Sequence, residues 1–149
     1  MCGIVGFVDT SLPSEDFLKR TGSILSNSLK HRGPDNSDIW VDENFGISFA
    51  HTRLSIIDLT NNGSQPMLSH TGRFVIVFNG EIYNHIEIRK KIEIKNASKK
   101  WRSYSDTETL IEAIECFGIE KTLKLCVGMF SFAVWDRKEK IIPFARDRF

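Results

Sequence analysis

Apolar residues along this chain cluster, alternate or recur every three to four positions, and each rhythm predicts a different element. Gly3–Val8 is a short apolar run near the N-terminus and reads as a buried strand. Pro13, Ser14 and Glu15 open a helix capped by Ser14. Phe17, Leu18, Ile24, Leu25 and Leu29 keep helical spacing up to His31, and Gly33-Pro34 stops it. Strands follow at residues 38–41 and 46–51, around the turn-prone Asp42, Glu43 and Asn44. Residues 55–59 are apolar and 60–64 read as a loop. The β-branched and aromatic run 74–78 reads as a central strand that ends in a tight turn at Asn79-Gly80.

Helical spacing returns at 85–94 and at 107–117. In the second stretch Leu110, Ile111, Ile114 and Phe117 share a face, Asp106 is the expected cap and Gly118 the stop. A short helix is expected at 120–126. Residues 128–135 and 140–145 read as a hairpin, with Pro143 placing the second strand at an edge or bulge. Strands dominate, with helices between groups of them, so the fold class expected is α+β with mainly antiparallel sheets. No internal repeat, low-complexity stretch or second domain is visible. Arg146-Asp147-Arg148-Phe149 stops just after an apolar strand, so a chain truncated at its C-terminal end is expected, with an apolar edge near Ile141, Ile142 and Phe144 left unpaired.

Composition narrows the classes. With 149 residues, 41% hydrophobic and 26% charged, the chain can bury one core. Twenty basic residues against 19 acidic ones give a net charge of +1, which asks for neither nucleic acid nor an acidic membrane surface. No apolar run is long enough to cross a bilayer, and the N-terminus lacks the basic start of a signal peptide. Cys2, Cys116 and Cys126 are too few for a disulfide framework and are odd in number, so they read as reduced thiols in a cytoplasmic protein.

Candidate chemistry begins at Cys2. Removing Met1 would leave a thiol and a free α-amine on one residue. An α-amine titrates near roughly 7.7–8.0, so it can serve as the base for the thiol without a histidine. On its own, Cys2 reads first as a buried structural cysteine near a terminus; Gly3 would let other backbone approach. Arg53, between two apolar stretches, offers a fork suited to a carboxylate, or a structural salt bridge. Asn79-Gly80 could supply an amide and a backbone N–H to an oxyanion, or be an ordinary turn. Asp106 could bind an ammonium group or cap its helix. His31, His51, His70 and His85 show no metal-ligand spacing, so no metal site is expected.

Taken in order, Cys2-Gly3-Ile4, His31-Arg32-Gly33-Pro34-Asp35, residues 51–59 (HTRLSIIDL), Gln65-Pro66-Met67, residues 79–84 (NGEIYN), Ser105-Asp106-Thr107-Glu108, Gly128-Met129-Phe130 and residues 145–149 (ARDRF) form a series. It resembles the N-terminal class II glutamine amidotransferase domain of glutamine-hydrolysing asparagine synthetases, over the whole of residues 1–149. The form of residues 31–35 is similar to that branch rather than to relatives that make glucosamine 6-phosphate or phosphoribosylamine.

The resemblance implies an N-terminal-nucleophile hydrolase fold, a four-layer sandwich of two antiparallel sheets between helix layers. It implies that Cys2 attacks the side-chain amide of L-glutamine, that Asn79 and Gly80 hold the oxyanion, and that Arg53 holds the α-carboxylate. Asp106 would hold the α-ammonium, helped by backbone around Glu81, with Arg53, Leu54, Ser55, Ile56 and Ile57 lining the site. Residues 31–35 and 65–67 read as supporting loops. The segment between Lys90 and Trp101 fits no motif of the family and reads as a surface connection. No cofactor is expected in this chain; ATP and magnesium belong to a synthetase-type domain beyond it or in another chain, which would receive the ammonia. A homodimer, a non-aspartate acceptor, and an inactive glutamine-binding fragment remain open at this stage.

Overall fold

The computed structural model describes residues 2–54 and 63–148, and within them the chain forms seven strands and four helices. Strands β1 (Gly3–Val8), β2 (Asn36–Asp42) and β3 (Ile47–Arg53) make one antiparallel sheet in the order β1-β3-β2. Strands β4 (Met67–Leu68), β5 (Phe74–Ile82), β6 (Gly128–Asp136) and β7 (Phe144–Arg146) make a second, in chain order. Helix α1 (Glu15–Ser28) packs on the first sheet with Leu18, Gly22 and Ser26 buried. Helix α3 (Asp106–Phe117) packs on β5, with α2 (His85–Lys95) and α4 (Ile119–Leu125) against it. The layers run helix, sheet, sheet, helix, as the resemblance implies.

The twofold period of a strand explains the stacking. On β5, Phe74, Ile76, Phe78 and Ile82 join Leu110, Ile111 and Ile114 in a helix-facing core. Val75 and Val77 point the other way, into a sheet-to-sheet layer with Ile47, Phe49, Ala133 and Trp135. Strand β6 divides likewise, Phe132 and Val134 toward the helices and Ala133 and Trp135 toward the other sheet. Each such side chain contributes about 1.5–3 kcal/mol when fully buried, so β5, apolar on both faces, is the strand the molecule is built around.

Several expectations shift. Asn79-Gly80 is not a turn: β5 runs on to Ile82, with Asn79 opposite Ser131 and Gly80 opposite Phe130. Gly80 is required there because its φ is +144° and a Cβ would sit 2.1 Å from the Met129 carbonyl oxygen. Pairing with β6 outweighs the local turn preference. Asp106 is not the cap of α3. Ser105 is, accepting the Glu108 N–H on Oγ at 3.2 Å.

Arg53 is the last residue of β3, opposite Asn36, rather than lying between strands. Helix α1 stops at Ser28, three residues before His31, although Ser14 does cap it through the Phe17 N–H. The strand expected at 140–145 is reduced to β7, preceded by an isolated bridge between Asp136 and Ile141, as an edge interrupted by Pro143 should be. The neighbours that require Gly3 are side chains, Thr52 Oγ1 and Leu29 Cβ, not backbone.

The segment before Trp101 is more than a surface connection. Lys99 pairs with the buried Glu112 carboxylate, and the Arg89 guanidinium lies 4.2 Å from the centre of the Trp101 ring. The three cysteines are free. Residues 55–59 and 60–62, expected as an apolar stretch and the start of a loop, lie outside the described residues.

Candidate active site

The apolar layer between the sheets turns polar at one end, and strand alternation decides which side chains meet there. On β3, His51 and Arg53 continue the face of Ile47 and Phe49; on β5, Asn79 continues that of Val75 and Val77. Cys2, immediately before β1, continues the face of Ile4, which packs into the same layer. The N-terminus of α3 closes the remaining side with Asp106. A cavity of about 270 Å3 results, lined by Cys2, Arg53, Leu54, Asn79, Gly80, Glu81 and Asp106. It is smaller than the roughly 300–1,000 Å3 typical of pockets for drug-sized ligands, a scale that suits a single amino acid.

Every site residue named from the sequence that lies within the described region therefore reaches one cavity. Ser55, Ile56 and Ile57 lie outside it. Residues not singled out as site residues also line the cavity, among them His51, Gln65, Tyr83 and Thr107. His51 had a usable signal, its place two residues before Arg53 on one strand face. Gln65 reads from the sequence only as part of a supporting loop, because the partners that place it at the site are distant in sequence.

The nucleophile candidate is held from several directions. The Leu54 N–H points at Cys2 Sγ from 3.4 Å, and Sγ lies 3.7 Å from the Leu54 carbonyl oxygen. Arg32 Nε donates to the Cys2 carbonyl at 3.1 Å, and the Gly3 N–H donates to Thr52 Oγ1 at 3.2 Å. The loop at residues 31–35 is thus a brace, as expected; the Asp35 N–H also bonds the Arg53 carbonyl.

The edge of β5 that faces β4 carries the main chemical feature. Strand β4 covers only Val75 and Ile76. Further along, among the described residues, side chains take over: Gln65 Oε1 accepts the Phe78 N–H at 2.6 Å, and Asp106 Oδ2 accepts the Ile82 N–H at 2.9 Å. Gly80 lies midway, so alternation turns its N–H toward the same edge. Across the sheet, Phe130 spends both its N–H and its carbonyl on Asp147, which confirms that Gly80 and Phe130 are not a hydrogen-bonded pair. A backbone donor beside the Asn79 amide is the arrangement an oxyanion needs.

Electrostatics follow burial. His51 is pushed down to about 4, by burial first and then by the Arg53 charge, with the Phe78 backbone opposing. It is a neutral imidazole at physiological pH, and its Nε2 has no hydrogen-bond partner among the described residues. Burial also raises Asp106 above its ordinary value, while the Ile82 N–H and His85 work against the shift.

The family model for the glutamine amidotransferase domain matches residues 1–149. Asparagine synthetase [glutamine-hydrolyzing] 1 of Bacillus subtilis is 36% identical over 154 residues, covering 100% of this chain and 23% of its own. The asparagine synthetase [glutamine-hydrolyzing] of Zea mays is 38% identical over 151 residues, covering 99% and 24%. The chain thus spans about a quarter of the length of these relatives. Among solved structures, glutamine phosphoribosylpyrophosphate amidotransferase from B. subtilis superposes with a TM-score of 0.62 at 18% identity, over 91% of this chain and 35% of that one.

Proposed function

The chain belongs to the glutamine amidotransferase domain family, and from that premise we propose that Cys2, once Met1 is removed, hydrolyses the side-chain amide of L-glutamine. The observation that carries this reading is convergence. Cys2, Arg53, Asn79, Gly80 and Asp106, spread over more than a hundred positions, line one cavity of amino-acid size.

Each group has a task its chemistry suits. Arg53 binds the α-carboxylate and Asp106 the α-ammonium, which orients the side-chain amide toward Cys2. The Cys2 α-amine takes the thiol proton as Sγ bonds to the amide carbon. The oxygen then carries negative charge, and the Asn79 amide and Gly80 N–H stabilise it. The α-amine returns the proton to the departing nitrogen, which leaves as ammonia. Water attacks the γ-glutamyl thioester, releasing glutamate and restoring the thiol.

The relatives' names and greater length support a further step. The ammonia passes to a synthetase-type domain, where ATP and magnesium would act; no residue of this chain is assigned to them. Glutaminase assays of Cys2→Ala test the core of the proposal. Activity should vanish while the fold, held by the two apolar layers, is kept. Turnover near wild type in that variant would remove Cys2 from the role.

A further inference from the structure

We infer that Gln65 is a positioning residue for glutamine hydrolysis, a strut that sets the distance between the oxyanion-binding end of β5 and the N-terminus of α3. The inference rests on the function proposed above. Gln65 is 6% exposed, and both ends of its amide are engaged. Oε1 accepts the Phe78 N–H at 2.6 Å, and Nε2 donates to Thr107 Oγ1 at 3.2 Å. Phe78 immediately precedes Asn79 and Gly80, and Thr107 immediately follows Asp106. One side chain therefore ties the backbone beside the oxyanion donors to the hydroxyl of the residue that follows the ammonium-binding carboxylate.

The strut has a clear structural occasion. Had β4 continued as a strand, its backbone would meet β5 at Phe78; in its place the Gln65 side chain supplies the acceptor. A main-chain partner would carry the ladder on toward Gly80 and consume the donor the reaction needs. A side chain satisfies Phe78 and stops there. Phe78 is 2% and Thr107 3% exposed, so loss of Gln65 leaves two buried groups short of a partner. Gln65 reaches the reaction only through its neighbours, and its loss should disturb binding and chemistry together.

The test uses the full chain with free Cys2, glutamine as the varied substrate, and active sites counted with an electrophilic glutamine analogue that alkylates the thiol. Gln65→Met keeps the length and removes both bonds. It should raise KM and lower kcat per active site, with kcat/KM falling roughly tenfold or more, the scale of a buried group left unpaired. Thr107→Val should show a smaller loss in the same direction, and the double variant should be no worse than Gln65→Met alone, because both break one connection.

Gln65→Glu supplies a conservative rescue. A protonated acid can accept from Phe78 and donate to Thr107, so its kcat/KM relative to wild type should recover as pH falls. Constants per active site unchanged in Gln65→Met, with only the folded fraction or Tm reduced, would overturn the inference and leave the proposed function standing. If Gln65→Met does not fold, Thr107→Val decides, and unchanged KM and kcat there overturn it. A wild type without glutaminase activity removes both readings, and that is visible before any variant is made.

Discussion

Asp106 and Glu108, two residues apart on the first turn of α3 and both buried, are shifted in opposite directions. Burial dominates at Asp106 and raises it. At Glu108 burial also opposes the charge, but the N–H groups of Arg102 and Ser103, the Ser103 hydroxyl and the Arg102 guanidinium outweigh it and hold the carboxyl below its ordinary value. Under the proposed function, the contrast separates a carboxylate held for the ammonium group from one committed to the fold.

Asp106→Asn should weaken glutamine binding without weakening the protein. A raised pKa means that the folded state holds its proton more tightly. Ionisation therefore costs stability, a cost absent well below the ordinary 3.8 and growing as pH rises through the folded value. An asparagine can still accept the Ile82 N–H but carries no charge. At neutral pH its Tm should match or exceed wild type, with the difference vanishing in acid. KM for glutamine should rise about ten- to a hundredfold, the scale of a charge-assisted bond worth about 1.5–3 kcal/mol. Melts across pH with steady-state kinetics check both; a marked loss of Tm at neutral pH would make Asp106 a structural residue.

Glu108→Gln should do the reverse. A depressed pKa contributes stability present above the ordinary 4.5 and lost as pH falls through the folded value. The variant leaves donors from Arg102 and Ser103 poorly matched, costing about 1–3 kcal/mol at neutral pH. The gap to wild type should close in acid. Denaturant titrations at neutral and acid pH measure it, and a constant gap would show that the charge is irrelevant.

Arg53 and Asn79 should separate in kinetics. The α-carboxylate keeps its charge throughout the reaction, so Arg53→Ala should act mainly on KM. Charge develops on the amide oxygen, so Asn79→Ala should act mainly on kcat, by about 2.7–4 kcal/mol if it behaves like other oxyanion donors. The opposite pattern would exchange their roles.

An N-terminal extension should abolish turnover. The base proposed is the α-amine of Cys2, and an amide nitrogen cannot take up that proton. Intact mass reports whether Met1 is removed, and comparison of processed and tagged protein gives the activity. Full turnover with Met1 attached would require another base, and the buried, low-pKa His51 would be the first to test.

Much of this molecule is legible in its sequence because the signals are local. The unbroken apolar runs of β5 and β6, the caps at Ser14 and Gly118, and the helical face of Leu110, Ile111 and Ile114 need only near neighbours. The misreadings share the opposite cause. Asn79-Gly80 has the composition of a turn, and only pairing with a strand about fifty residues later straightens it. The cap of α3 falls on Ser105 because Glu108 folds back over residues 102–103 and Asp106 is drawn to Ile82. Gln65 is invisible as a strut because its two bonds span 13 and 42 positions.

The short reach of β4 also has an isotopic signature. Phe78 and Ile82 are buried, and their N–H groups bond to side chains with almost no contact with solvent, so deuterium should enter them only when the domain opens widely. Gly80, between them on the same strand, presents its N–H to the cavity and should exchange far sooner in unliganded protein. Protection gained at that single amide on binding an electrophilic glutamine analogue would report the donor closing on its oxygen, while the strand around it stays as slow as before.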